Sequence, residues 1–196
     1  MNAVFLKSVL RAADIPESNK PQIALLGRSN VGKSSLINRL AGAKGLAYSS
    51  NTPGLTQTVN LYEFDGRYLL VDLPGYGFAR AKPGHHEGFA PLIGAYLSEA
   101  ERLKLVLLIV DARHDLAESD RHAIGQLIEE RIPFVIVLNK TDKVSRSAAV
   151  LGRKKIETAY PGAKVIAHSM VTGEGLGEIR DAIARAVREA ASGTRS

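Results

Sequence analysis

Apolar residues bunch into short runs at 22–26, 68–72, 105–111, 134–139 and 164–168, each bounded by turn-forming residues. Runs of this length, rich in Val, Ile and Leu, predict strands buried on both faces. Between them lie segments of helical length at 33–41, 87–102, 119–131, 147–160 and 176–191. The alternation predicts an α/β fold, a mostly parallel sheet with helices on both faces, with ligands gathering at the carboxyl ends of the strands. Residues 59–64, VNLYEF, lead through Asp65-Gly66 into the 68–72 run, which predicts an antiparallel hairpin. Val4, Phe5, Leu6, Val9 and Leu10 are expected to pack an N-terminal extension (1–21) onto a core spanning 22–191, and 192–196 reads as a frayed tail. Two stretches, 47–58 and 76–84, are rich in Gly, Pro and polar residues and show no periodicity. Loops of that length inside a compact domain are usually functional.

The chemistry concentrates at three strand ends. Gly27-Arg28-Ser29-Asn30-Val31-Gly32-Lys33-Ser34 has the spacing G-x-x-x-x-G-K-S between a strand and a helix. The two glycines let the backbone curl so that its N–H groups meet phosphate oxygens. Lys33 brings charge to the β- and γ-phosphates, and the Ser34 hydroxyl suits Mg²⁺. Asp72-Leu73-Pro74-Gly75 ends the hairpin, placing a carboxylate within water-mediated reach of Mg²⁺ and a glycine N–H near the γ-phosphate. Asn139-Lys140-Thr141-Asp142 follows the buried run Val135 to Leu138. The two acceptor oxygens of Asp142 match guanine N1–H and the 2-amino group. Adenine has neither, and a site that would be left unpaired rejects the analogue by roughly 10⁴ or more. Asn139 suits the other edge of the base, and the Lys140 stem can cover its face. A bare Asn-Lys-Thr-Asp turn could equally cap a helix, but its order after the other two boxes favours the nucleotide reading.

Composition narrows the setting. The chain has 196 residues, 45% hydrophobic and 23% charged, enough for one domain with a full core. Without cysteine, disulfide frameworks and thiolate metal sites are excluded. The apolar N-terminal stretch is interrupted by Lys7 and Arg11, making a poor signal peptide, and the run 105–110 is too short to span a bilayer. A cytoplasmic protein is expected. The net charge of +6 favours polyanionic partners, although Asp181 and Glu189 intersperse the basic residues of the last helix.

The combination GRSNVGKSSLIN, NTPGLTQTVNLYEF, DLPGYGFA and LNKTDK resembles the EngB (YihA/YsxC) family of bacterial GTP-binding proteins, within the translation-factor-related GTPases, over nearly the whole chain. The resemblance implies a Ras-like P-loop GTPase fold with six strands, one of them antiparallel. It implies slow hydrolysis of GTP to GDP and phosphate, a role in large (50S) ribosomal subunit assembly, and a link to cell division and septation. Action on the division machinery itself, with hydrolysis incidental, is the alternative. Carried onto this sequence, Ser35 and Gly54, Leu55, Thr56, Gln57 and Thr58 join the nucleotide-binding residues. Thr56 joins Ser34 on Mg²⁺ in the GTP state, and Lys33, Thr56 and Gly75 carry catalysis. His168-Ser169-Met170 occupies the last guanine-contacting loop, where Met170 departs from the usual small residue, so a backbone N–H contact is expected there. Where related enzymes place a water-orienting glutamine after D-x-x-G, this chain has Tyr76, which implies stimulation by a partner or a cation. Asn30 matches a K⁺-binding residue of some similar GTPases, against a competing reading of simple loop hydrogen bonding. Arg80, Lys82, His85 and His86 make the second switch basic, suited to rRNA or ribosomal protein. A monomer is expected.

Overall fold

The computed structural model describes residues 2–47, 58–76 and 91–192. Its centre is a seven-stranded sheet ordered β1-β3-β4-β2-β5-β6-β7. The strands are β1 (Ala3–Val9), β2 (Gln22–Gly27), β3 (Val59–Phe64), β4 (Tyr68–Asp72), β5 (Leu103–Asp111), β6 (Phe134–Asn139) and β7 (Lys164–Ala167). Helices α1 (Lys33–Ala41), α2 (Pro91–Glu99), α3 (Glu118–Glu129), α4 (Arg146–Ala159) and α5 (Leu176–Ser192) cover it. The helix expected over 87–102 is shorter at its carboxyl end, and 87–90 lie outside the described residues, as do 193–196.

The near-continuous apolar strands are explained by two cores. Ile23 and Leu25 of β2, with Leu107 and Ile109 of β5 and Val137 of β6, face α1 and α5 through Leu36, Ile37, Leu40, Ile179 and Ile183. The alternate residues Ala24, Leu26, Val106, Leu108 and Ile136 face α2 and α3 through Ile93, Tyr96, Ile124 and Leu127. Each strand therefore buries both sets, and no polar alternation can appear. A fully buried Leu or Ile here contributes on the order of 1.5–3 kcal/mol.

Among the described residues the sheet has seven strands, not six. The N-terminal stretch forms β1, which pairs antiparallel with β3 from Ala3↔Phe64 to Val9↔Val59, with a bulge between Phe5 and Lys7. Val4, Phe5 and Leu6 are 48%, 45% and 43% exposed, so three successive residues lie half in water at the sheet edge and give no two-residue period to read. Since β3 is antiparallel to both β1 and β4 while β4 runs parallel to β2, β3 alone opposes the rest, the antiparallel strand expected from the hairpin.

Register then sets the site. Leu25 pairs with Asp72 and Leu107, and Asp111 with Asn139, so β4, β2, β5 and β6 all end along one edge of the sheet.

Candidate nucleotide site

The glycine loop joins β2 to α1 and is pressed against its neighbours. A Cβ on Gly27 would lie 2.5 Å from the Ile109 carbonyl oxygen, and one on Gly32, at φ 109°, would strike the Asn139 amide. Gly32 caps α1, and its carbonyl accepts the helix's first bond from Leu36 N–H at 2.9 Å. The first N–H groups of a helix have no partner within it, so α1 offers those of Lys33, Ser34 and Ser35, with the positive end of its dipole, at the end of the loop. Val31 is buried, Arg28 and Ser29 are half-buried, and Asn30 stands exposed at φ 62°. Lys33 Nζ bends back to the Gly27 carbonyl at 3.3 Å. Burial holds its pKa below the usual lysine range, while the Asp72 charge pulls it back up.

Asp72, at the end of β4, is 7% exposed, and its Oδ1 has no hydrogen-bond partner among the described residues. Burial pushes its pKa up to about 6, against opposing pulls from Lys33 and the Asn60 side chain. Asn60 pairs with Asp72 across β3–β4, and its Oδ1 accepts from Ser8 Oγ at 2.6 Å and Thr58 Oγ1 at 3.4 Å. Leu73 and Pro74 are buried, and Leu73 N–H donates to the Leu25 carbonyl at 3.1 Å. A Cβ on Gly75 would lie 2.6 Å from Ser29 Oγ, so this backbone rests directly on the phosphate loop. Tyr76, bridged to Arg28 as an isolated strand pair, turns its hydroxyl away to donate to Asp120 Oδ1 at 2.8 Å.

The third box is tied to the first. Asn139 Nδ2 donates to the Val31 carbonyl at 2.7 Å, leaving its own buried Oδ1 without a partner among the described residues. Lys140, at φ 66°, donates from Nζ to the Asn30 carbonyl at 2.7 Å and to Asp111 Oδ2 at 2.8 Å. Arg113 bonds Asp111 through its backbone N–H, Nε and Nη2, and these donors with Lys140 hold the carboxyl below the usual aspartate range despite desolvation. Thr141 binds the His168 carbonyl through both N–H and Oγ1. Ser169 Oγ accepts from the N–H groups of Val171 and Thr172 at 3.2 and 3.1 Å, which directs its own proton to Asp142 Oδ1 at 2.8 Å. That bond keeps the Asp142 pKa low, with smaller help from Lys143. His168 is fully buried, and because the Glu174 carbonyl 2.5 Å from its Nδ1 can only accept, Nδ1 carries the proton. Met170 is half-buried.

The fold thus brings residues 27–35, 58, 72–75, 139–142 and 168–170 to one end of the sheet. Gly54, Leu55, Thr56 and Gln57 lie outside the described residues, as do Arg80, Lys82, His85 and His86. Among the described residues no three His, Cys, Asp or Glu side chains cluster to hold a metal. Sequence reasoning missed Asp111 and the Ser169 hydroxyl. Asp111 had a signal, since it ends an apolar strand as Asp72 and Asn139 do. Ser169 had none, because its partner lies 27 positions away.

A loop shaped for phosphates is common to ATP- and GTP-using proteins, and comparison with known proteins narrows the class to the P-loop GTPases. The family model described as 50S ribosome-binding GTPase matches residues 22–140. The probable GTP-binding protein EngB of Solibacter usitatus is 43% identical over 183 residues, covering 93% of this chain and 95% of that protein. The corresponding protein of Prosthecochloris aestuarii is 41% identical over 175 residues, covering 89% and 91%. The chain belongs to the EngB family of GTP-binding proteins. A crystal structure of a probable EngB shares the fold with a TM-score of 0.60 at 24% identity, over 86% of this chain and 99% of that one.

Proposed function

We propose that this GTPase is a switch acting in assembly of the large ribosomal subunit, binding its partner in the GTP state and leaving after hydrolysis. The observation that carries the reading is the seating of Gly75 against Ser29: the strand-end turn that would sense a γ-phosphate already touches the loop that would hold it. The family's description, 50S ribosome-binding GTPase, and the net charge of +6 favour an RNA-rich partner.

In this reading Lys33, the 27–35 backbone and Gly75 hold the phosphates, and Asn139, Lys140, Asp142 and the 168–170 loop hold guanine. Mg²⁺ fits Asp72, whose buried Oδ1 has no partner among the described residues and would meet the ion through water, while Ser34, and Thr56 by the family resemblance, would ligate it. When bound, the ion neutralises charge on the β- and γ-phosphate oxygens. The chain's own contribution is positioning, through Lys33, Thr56 and the Gly75 N–H. Tyr76, engaged with Asp120, supplies no water-orienting group, so intrinsic hydrolysis is slow and depends on a partner or a cation. A potassium ion at Asn30 is one such cation, and equal hydrolysis in K⁺ and Na⁺ would remove it. The protein works as a cytoplasmic monomer. Among the described residues no helix is long and apolar enough to cross a membrane.

Co-sedimentation with ribosomal subunits tests the proposal. Binding to the large subunit or its precursor with a non-hydrolysable GTP analogue, and loss of that binding with GDP, is the expected result. Equal binding in both states overturns the switch. No binding in either moves the protein to the division machinery, where septation effects would be direct.

A further inference from the structure

At the pole opposite the nucleotide site, the amino-terminal ends of the strands and the last turns of α5 enclose a groove of about 1240 Å³. Four cations line it, Arg67 before β4, Arg102 and Lys104 at the start of β5, and Arg188 on α5, with Glu189 the one acid in the lining. None of the four is ion-paired with a carboxylate among the described residues. Among the described residues the Arg102 side chain reaches the Asn19 amide oxygen, at 3.2 Å, and Lys104 the Glu101 carbonyl, at 3.5 Å. Gathering like charges in a concavity costs self-repulsion that a polyanion would relieve. The lining also holds apolar side chains, among them Pro21, Leu103, Pro133 and Val187.

We propose that this groove binds the phosphate backbone of single-stranded RNA. A concave channel lined by cations tracks a strand of phosphates, and the apolar part of its lining suits sugars and bases. A flat bilayer surface cannot enter it. The preference for RNA over an acidic peptide rests on the large-subunit reading. The groove lies a strand length, about 30 Å for the nine residues of β5, from the nucleotide edge. It would hold RNA in either nucleotide state and leave the other pole to report GTP.

The test is fluorescence anisotropy of a labelled uridylate dodecamer with the full chain, in GDP and in a GTP analogue, over a salt series. Four phosphate contacts predict a slope of log affinity on log salt of about −3. The double variant R102E/R188E should bind about tenfold or more weakly, with a slope shallower by about 1.4. Its guanine-nucleotide affinity should be unchanged. R146E/K154E, an equal charge reversal on α4, should bind RNA within about twofold of the unaltered protein. Equal losses in both double variants, RNA binding that requires the GTP analogue, or polyglutamate or anionic vesicles bound through the groove in place of RNA would each overturn the proposal. Large-subunit sedimentation of the unaltered protein separates the two ideas. If it succeeds while R102E/R188E binds RNA normally, the groove proposal fails and the switch stands. If it fails while RNA binding depends on the groove, the groove stands without the ribosomal reading.

Discussion

Asp111 shows how a side chain outside the three boxes governs them. It receives Lys140 Nζ at 2.8 Å, and the same ammonium bonds the Asn30 carbonyl, so one carboxylate ties the Asn139–Asp142 turn to the crest of the glycine loop. Asp111→Ala removes a charge-assisted bond of about 1.5–3 kcal/mol. The expected result is GDP dissociation faster by about 10- to 100-fold, measured by release of a fluorescent analogue. An unchanged rate would show that Lys140 keeps its place without Asp111. Asp72 makes a pH prediction. Its folded pKa of about 6 lies above the ordinary aspartate value, so the folded chain favours the protonated form. Without nucleotide and metal, stability should fall as pH rises from about 4 to about 6 and stay lower above that, by on the order of 3 kcal/mol in total. Urea unfolding of Asp72→Asn should lack this fall. A pH-independent difference between the two proteins would contradict it.

Among the elements, the turn after β4 is latched to α3. Tyr76 donates to Asp120 Oδ1, while Asp120 Oδ2 accepts the Ala117 N–H at 3.0 Å at the start of α3. Tyr76→Phe leaves a buried carboxylate oxygen short of a donor, costing about 1–3 kcal/mol and lowering Tm by roughly 3–10 °C. Hydrolysis per bound GTP should stay within about twofold, whereas a large loss would give the tyrosine a catalytic part. Strands β2 and β4 to β7, with the helices between them, were legible because a doubly covered strand is apolar almost throughout, and β3 was legible from the Asp65-Gly66 turn that joins it to β4. β1 was not, because an edge strand with a bulge carries no period. Within the site, the motifs marked the three strand-end turns that the sheet brings to one edge. The bonds that steady them, Ser169 to Asp142 and Asp111 to Lys140, join different strand ends and are set only when the sheet assembles.

For the whole molecule the sheet is a rigid bar with distinct chemistry at its two ends. One end holds the nucleotide boxes, and the other presents cations that have no carboxylate partner among the described residues. The sequence showed the charge but not its placement, since Arg67, Arg102, Lys104 and Arg188 are dispersed along the chain and meet only through the order of the strands. The central claim is that guanine nucleotide read by Asp142 controls binding to the large subunit. Asp142→Asn exchanges an acceptor for a donor and so prefers xanthine, whose 2-oxo group replaces the 2-amino group. The decisive measurement is sedimentation of this variant with large subunits in the presence of non-hydrolysable GTP or XTP analogues. The account predicts association with the XTP analogue and loss of it with the GTP analogue. Association with neither, or with both alike, from a variant that still binds the XTP analogue in solution would contradict it.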